Sequence, residues 1–210
     1  MGKYKETSIS QEVNRSVGGQ TFYKWRGEML VRMKIKSNSS STPAQQRRRR
    51  LFAELMRWCG IFSGVAALGF PGRARKQSPE NAWAQANAGI VTLGTEGEVM
   101  VDYSRIICSK GTLEVPEVTV TFNAEDGSLS FLHSVDEEGQ GKYATDRLFV
   151  ALLDKMRKKV KVHELDRRKD TAPVTVTLKD GWDVENLCIY AFYLREDGRR
   201  ASATAYVEIG

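Results

Sequence analysis

At 210 residues, 41% of them apolar and 28% charged, the chain can form one domain of ordinary size plus a smaller appendage, which excludes wholesale disorder. The net charge of +6 hides two unlike parts. Residues 1–80 hold 16 of the 32 Lys and Arg but five of the 26 Asp and Glu, about +11, and leave about −5 for the rest. So localised a basicity attracts nucleic acid, anionic lipid or an acidic protein without choosing among them.

Residues 1–17 are polar and mixed, as expected of a loosely held N-terminal arm. With no apolar h-region after Met1, no secretory signal is seen, so the expected setting is cytoplasmic or within a macromolecular assembly. From Gly18 the pattern becomes that of a β-hairpin. Thr21, Phe22, Tyr23 and Trp25 form one β-prone run, and Arg26-Gly27 supplies the turn. In the second strand Met29, Val31, Met33 and Ile35 alternate with Leu30, Arg32, Lys34 and Lys36, giving one mostly apolar face and one largely basic face.

After a polar linker at 37–41, Thr42-Pro43-Ala44-Gln45 carries the marks of a helix start: a capping hydroxyl, proline at the first helical position and a glutamine able to bond back. Arg47, Arg48, Arg49 and Arg50 follow directly, the densest charge in the chain. Leu51, Phe52, Leu55, Met56, Cys59 and Phe62 recur at helical spacing as a core face, and Gly69, Pro71 and Gly72 end the helix. Four cations in a first helical turn oppose the helix dipole, which points to a functional reason for them; the bland alternative is a solvated turn with an Arg50–Glu54 ion pair. Trp58 to Phe70 is charge-free for 13 residues, short of the roughly 20 that a bilayer span needs. A basic loop through Arg73, Arg75 and Lys76 leads to a second helix start at Ser78-Pro79, with Ala82, Trp83, Ala86 and Ile90 as its apolar stripe.

Beyond Glu98 the rhythm is that of strands: Glu98–Cys108, Glu117–Phe122, Ser128–Val135, Arg147–Leu153, Lys159–Leu165, Pro173–Leu178, Leu187–Leu194 and Ala201–Ile209. Asp126-Gly127, Asp180-Gly181 and Asp197-Gly198 mark turns between them. Leu148, Leu152 and Met156 also match a helical stripe over Arg147 to Lys158, but Phe149, Val150 and Leu153 would crowd the other side of that helix, which favours the strand. Lys159, Lys161 and His163 alternating with Val160 and Val162 predict an edge strand blunted by charge. The expected architecture is α+β, mainly β: an N-terminal hairpin and two helices attached to a C-terminal immunoglobulin-like or fibronectin-like antiparallel β-sandwich. The expected divisions are the arm 1–17, a basic hairpin and helical region 18–96, and a sandwich domain 97–210.

The order of motifs resembles an uncharacterised bacterial family of proteins of about 200 residues, a domain of unknown function. The residues that carry the resemblance are Gly19, Tyr23, Trp25, Arg26 and Gly27, then Thr42, Pro43, Gln45, Gln46 and Arg48, then Val101-Asp102-Tyr103-Ser104 before Gly111 and Leu113. The resemblance implies the two-part architecture and carries no activity. Four arginines in a row stand where the family pattern has scattered basic residues.

No reaction is marked out. Cys59, Cys108 and Cys188 are far apart and odd in number, and read as buried thiols; His133 and His163 lack a second ligand at metal spacing. Ile61-Phe62-Ser63-Gly64 lacks the first glycine of a nucleophile elbow, and Gly139 to Lys142 lacks the context of a phosphate loop. Asp136-Glu137-Glu138 with Glu125 and Asp126 read as a solvated acidic face rather than a calcium loop. The sequence therefore predicts no catalytic set, no metal site and no cofactor. It predicts a non-enzymatic structural or assembly protein, with a virion or another large assembly as its setting, that binds nucleic acid through Lys24, Arg26, Arg32, Lys34, Lys36 and Arg47 to Arg50, with Tyr23 and Trp25 stacking on bases. The alternative is a protein-interaction or self-assembling module whose basic N-terminal region docks on acidic surfaces of neighbouring subunits.

Overall fold

The computed structural model of the chain describes residues 2–3, 16–34, 37, 41–134, 139, 141–179 and 181–210. It divides into two compact units, residues 1–45 and 46–210, and each is described by itself.

The first unit is an antiparallel sheet of β1 (Gly2–Lys3), β2 (Ser16–Val17), β3 (Gln20–Trp25) and β4 (Glu28–Met33), in the order β1-β4-β3-β2. The hairpin forms because Arg26 and Gly27 both take positive φ, 49° and 84°, which matches the twist of the strands they join. A hairpin alone is marginal in water, and β1 and β2 cover both of its edges. The described parts of the expected loose arm are thus sheet strands; the rest of that arm, with Ile35 and Lys36, lies outside the described residues.

Helix α1 (Pro43–Ile61) starts as its sequence predicts. The Gln45 N–H donates to Thr42 Oγ1 at 3.3 Å, and the Thr42 N–H donates to Gln45 Oε1 at 3.2 Å, a reciprocal capping box. Thr42→Ala is expected to lower stability by about 1 kcal/mol, read as a shifted urea midpoint with an unchanged slope. The expected single helix to Gly69 is instead two: α1 and α2 (Ser63–Gly69) meet at 74°. The bend follows from packing. Phe62, fully buried at the joint, stacks on Trp83 at 5.3 Å and meets Tyr190 edge-on at 6.1 Å, so the chain turns around its ring. Helix α3 (Pro79–Ala86) is capped by Ser78, which accepts the Asn81 N–H at 3.2 Å. It stops short of Ile90 because Asn87 turns its amide inward, donating to the carbonyls of Trp83 and Ile107 and accepting the Ile107 N–H.

The strands follow: β5 (Val91–Leu93), β6 (Val99–Val101), β7 (Val118–Asn123), β8 (Ser128–His133), β9 (Arg147–Asp154), β10 (Lys159–Arg167), β11 (Val174–Thr177), β12 (Leu187–Leu194) and β13 (Ala205–Val207). Two expected strands are shorter. Glu98–Cys108 yields only β6, since Asp102 accepts the Ser104 hydroxyl and sets a 3-10 turn at Tyr103–Arg105; Ala201–Ile209 yields β13, with isolated bridges at Ala201, Ser202 and Ile209. β5, which pairs with β6, is absent from the sequence reading. Asp180 and the 135–138 segment lie outside the described residues.

The second unit is layered. A four-stranded sheet, β10-β9-β12-β13, lies between helices and a three-stranded sheet, β11-β8-β7. One face of β9 and β12 presents Phe149, Ala151, Leu153, Tyr190 and Phe192 to a core with Trp58, Phe62, Val65 and Trp83. The other presents Leu148, Val150, Leu152, Ile189 and Ala191 to Val120, Leu129, Phe131 and Val176. Both faces being covered, β9 and β12 read as unbroken apolar runs rather than alternating ones. The protein is mainly β, with antiparallel sheets in an open, sandwich-like arrangement after the hairpin and helices. β10 is an edge strand, with Lys159 and Lys161 exposed as expected.

Candidate functional site

On the hairpin, cross-strand pairing puts Thr21, Tyr23 and Trp25 opposite Arg32, Leu30 and Glu28 on one face, and Gln20, Phe22 and Lys24 opposite Met33, Val31 and Met29 on the other. Lys34 continues the parity of Arg32. Aromatic rings and cations therefore share a face: the Arg32 guanidinium lies 5.6 Å from the Tyr23 ring centre, and that of Arg26 lies 4.5 Å from the ring of Trp25, which is 54% exposed. Lys24 projects from the opposite face, apart from the other hairpin cations. As the mostly apolar and largely basic pattern allows, the division is not strict: Leu30, on the basic face, is buried, while Met33, on the apolar face, is exposed.

Arg47, Arg48, Arg49 and Arg50 are all exposed on the first turns of α1, which has no acidic residue in its opening turn. Arg50 donates to the Gly97 carbonyl at 3.1 Å; in place of the Arg50–Glu54 pair of the bland alternative, Glu54 meets Arg57 at 3.1 Å and the Trp58 indole N–H at 3.0 Å. The buried stripe of α1 runs through Leu55, Trp58 and Cys59, with Leu51 against it, which turns Phe52 and Met56 outward; Phe52 is 62% exposed. These two were expected in the core. At about 100° per residue a stripe centred on Trp58 rather than Phe52 carries them past its edge.

The three cysteines are free and buried, and burial pushes the Cys108 thiol well up. His163 is half-buried on β10, where burial and then Lys161 hold its pKa below the usual value. His133 is buried, its Nδ1 3.3 Å from the Tyr193 hydroxyl and 3.2 Å from the Ser134 carbonyl. Among the described residues no three of His, Cys, Asp and Glu converge as metal ligands. Of the acidic residues weighed for calcium, Glu125 and Asp126 are exposed, and Asp136 to Glu138 lie outside the described residues.

Two features were missed in the sequence. One is a buried ion pair: Arg168 Nε lies 3.5 Å from Asp146 Oδ2, with the side chains 2% and 0% exposed. Asp146 Oδ2 also accepts the Tyr143 N–H at 3.1 Å, while Arg168 donates to the Glu114 carbonyl and its guanidinium lies 3.8 Å from the Tyr193 ring centre. Burial raises the Asp146 pKa, opposed by the Tyr143 N–H and by Arg168. The other is a groove of about 1050 Å³ in the second unit, whose lining contains Arg73, Arg105, Lys110, Arg199 and Arg200 and, among the described residues, no Asp or Glu. Apart from Arg73, its cations come from separate segments of residues 81–210, whose net charge is about −5, so no single run of sequence announces it.

The layered core and these cation-bearing surfaces define a mainly β protein whose distinctive chemistry is positive charge held on folded elements. The chain belongs to a family of unknown function, DUF6266, which matches it over residues 9–208. No curated protein and no solved structure matches the chain.

Proposed function

We propose that the protein is a non-enzymatic structural or assembly component that binds nucleic acid through its basic N-terminal region. The observation that carries this reading is the hairpin face on which Tyr23 and Trp25 stand with Arg32 and Lys34, beside Arg26 at the turn. Rings beside cations suit unpaired bases and their phosphates at once. Arg47 to Arg50 add a second exposed set, serving phosphate neutralisation rather than base readout. Lys24 and Lys36 remain candidate phosphate contacts. A virion or comparable assembly, where folded subunits meet a genome, is the setting this design suits.

The test is fluorescence anisotropy of labelled single- and double-stranded DNA and RNA against the intact protein and a variant with alanine at Arg47, Arg48, Arg49 and Arg50, at several salt concentrations. The variant is expected to bind about 100-fold more weakly at low salt, with a log–log salt slope shallower by about 3. Trp25→Ala is expected to lower single-strand affinity by about 1–3 kcal/mol and to leave duplex binding nearly unchanged. Equal binding by the intact protein and the four-alanine variant removes the arginine cluster from the site. No binding by the intact protein favours docking on acidic protein surfaces instead.

A further inference from the structure

The groove in the second unit is built of two unlike materials. Its buried or half-buried lining is largely apolar, with Phe70, Ala82, Ala86, Ile106 and Ile107 beside the polar Gln77, Ser109 and Thr204, whereas Arg73, Arg105, Lys110, Arg199 and Arg200 are exposed around it. Arg73 is fastened in place, donating to the carbonyls of Phe70 at 3.0 Å and Gln77 at 3.2 Å. Among the described residues, the side chains of Arg105, Lys110, Arg199 and Arg200 make no hydrogen bond or ion pair. The acid nearest in sequence to the last two, Asp197, is turned onto the Arg199 backbone N–H at 2.8 Å and the Arg195 side chain at 4.0 Å. A concavity lined by one sign of charge over low-dielectric walls focuses its field and draws in the opposite sign.

The backbone beneath the groove is fixed. Thr204 Oγ1 accepts the N–H groups of Cys108 and Ser109, each at 2.8 Å, and the Lys110 N–H donates to the Gly69 carbonyl at 2.9 Å. Gly69 and Gly111 permit this closeness: a Cβ on either would run into the backbone of Cys108 or Ala201. The cations therefore project from an ordered frame.

We infer that this groove docks an acidic polypeptide segment of a protein partner, its carboxylates meeting Arg105, Lys110, Arg199 and Arg200 and its apolar side chains lying on Ile107 and Ala86. Three observations choose a peptide. The volume is at the upper end of small-molecule sites, about 300–1,000 Å³. Guanidinium forks match carboxylates, and the lining between the cations mixes apolar side chains with Ser, Thr and Gln, as suits an amphipathic peptide. Stacked bases need flat ring faces, and Tyr206 is the one partly exposed ring in the lining. The site is independent of the proposed nucleic-acid interface and shares no residue with it.

The experiment titrates the intact 210-residue chain into a fluorescein-labelled octapeptide of alternating glutamate with leucine or alanine, and into a control with glutamine for each glutamate. The intact protein is expected to bind the acidic peptide saturably. The variant R105Q/K110Q/R199Q/R200Q should bind it at least about tenfold more weakly, since each lost charge-assisted contact is worth a factor of several. The four substitutions remove no intramolecular bond among the described residues, and an unchanged urea midpoint verifies the fold. If that midpoint falls, R105Q/K110Q and R199Q/R200Q separately carry the comparison. The four-alanine variant at Arg47 to Arg50 should bind the peptide as the intact protein does, which separates this site from the nucleic-acid reading. The inference is overturned if the acidic peptide does not bind saturably, if the glutamine control binds equally well, or if the groove variants bind undiminished. It is also overturned if the groove substitutions abolish single-stranded DNA binding while leaving peptide binding intact.

Discussion

Arg168→Met is expected to destabilise the protein by about 3–5 kcal/mol at neutral pH, measured by urea unfolding. Methionine approximates the volume of the arginine stem but removes the partner of Asp146, whose carboxylate is fully buried. Of its oxygens, Oδ1 has no hydrogen-bond partner among the described residues, so without Arg168 only the Tyr143 N–H remains, on Oδ2. The penalty depends on pH. The Asp146 pKa is already raised in the folded state, so the folded chain holds this proton more tightly than the unfolded chain does. Its contribution favours folding below the ordinary aspartate pKa and is lost as pH rises through the folded value. Removing Arg168 takes away an opposing charge and lifts that value further. The variant should therefore recover part of its deficit between pH 7 and pH 4, whereas Asp146→Asn, which strands the arginine, should show a deficit that acid does not relieve. A loss below about 1 kcal/mol for Arg168→Met at pH 7 would mean that water reaches the pair.

Phe62→Ala should cost about 3–5 kcal/mol, a deletion that empties the joint between α1 and α2. The ring is fully buried between Trp83 and Tyr190, so its removal takes both helices and β12 out of contact at one point. Phe62→Leu, which keeps most of the volume, should cost about half as much or less. Trp83→Phe is the informative contrast. Its indole N–H is buried with no partner among the described residues, so trimming it to phenyl removes an unsatisfied donor along with some packing. Urea midpoints of the three variants order these effects; a Phe62→Ala midpoint near that of the parent would place the core elsewhere.

Much of the fold was legible because the chain announces its own punctuation. Arg26-Gly27 reads as a turn, Thr42-Pro43-Gln45 and Ser78-Pro79 read as helix starts, and each does that work in the structure. The strands expected at Arg147–Leu153, where a helix also fits the spacing, and at Leu187–Leu194 are present, and the cover on both their faces becomes visible only in the packing. What stayed hidden depends on tertiary direction. Phe52 fits a helical stripe as well as Trp58 does, and only packing decides which turns inward. The hairpin and arginine candidates were visible as charge runs and a β-alternation. The Asp146–Arg168 pair and the groove cations were not, because each joins residues from separate segments whose neighbours look like ordinary polar loops.

The double cover of β9 and β12 carries a cost in specification. In a strand with one wet face, a slip of one residue drives charge into the core and is forbidden on that account. Here both faces are apolar, so a slip would exchange one greasy set for another, and hydrophobicity alone does not choose the alignment. The choice falls to shape and to the ends. Phe149 must meet Phe192, whose rings stack at 5.8 Å, and the β9–β10 turn must close with Asp154 accepting the Arg157 N–H at 2.9 Å and Lys158 in the left-handed region at φ 53°. That short turn sets β10 against β9, where exposed Lys159 and Lys161 already forbid a slip, so the alignment of β12 on β9 rests on the fit of side chains such as the Phe149–Phe192 stack.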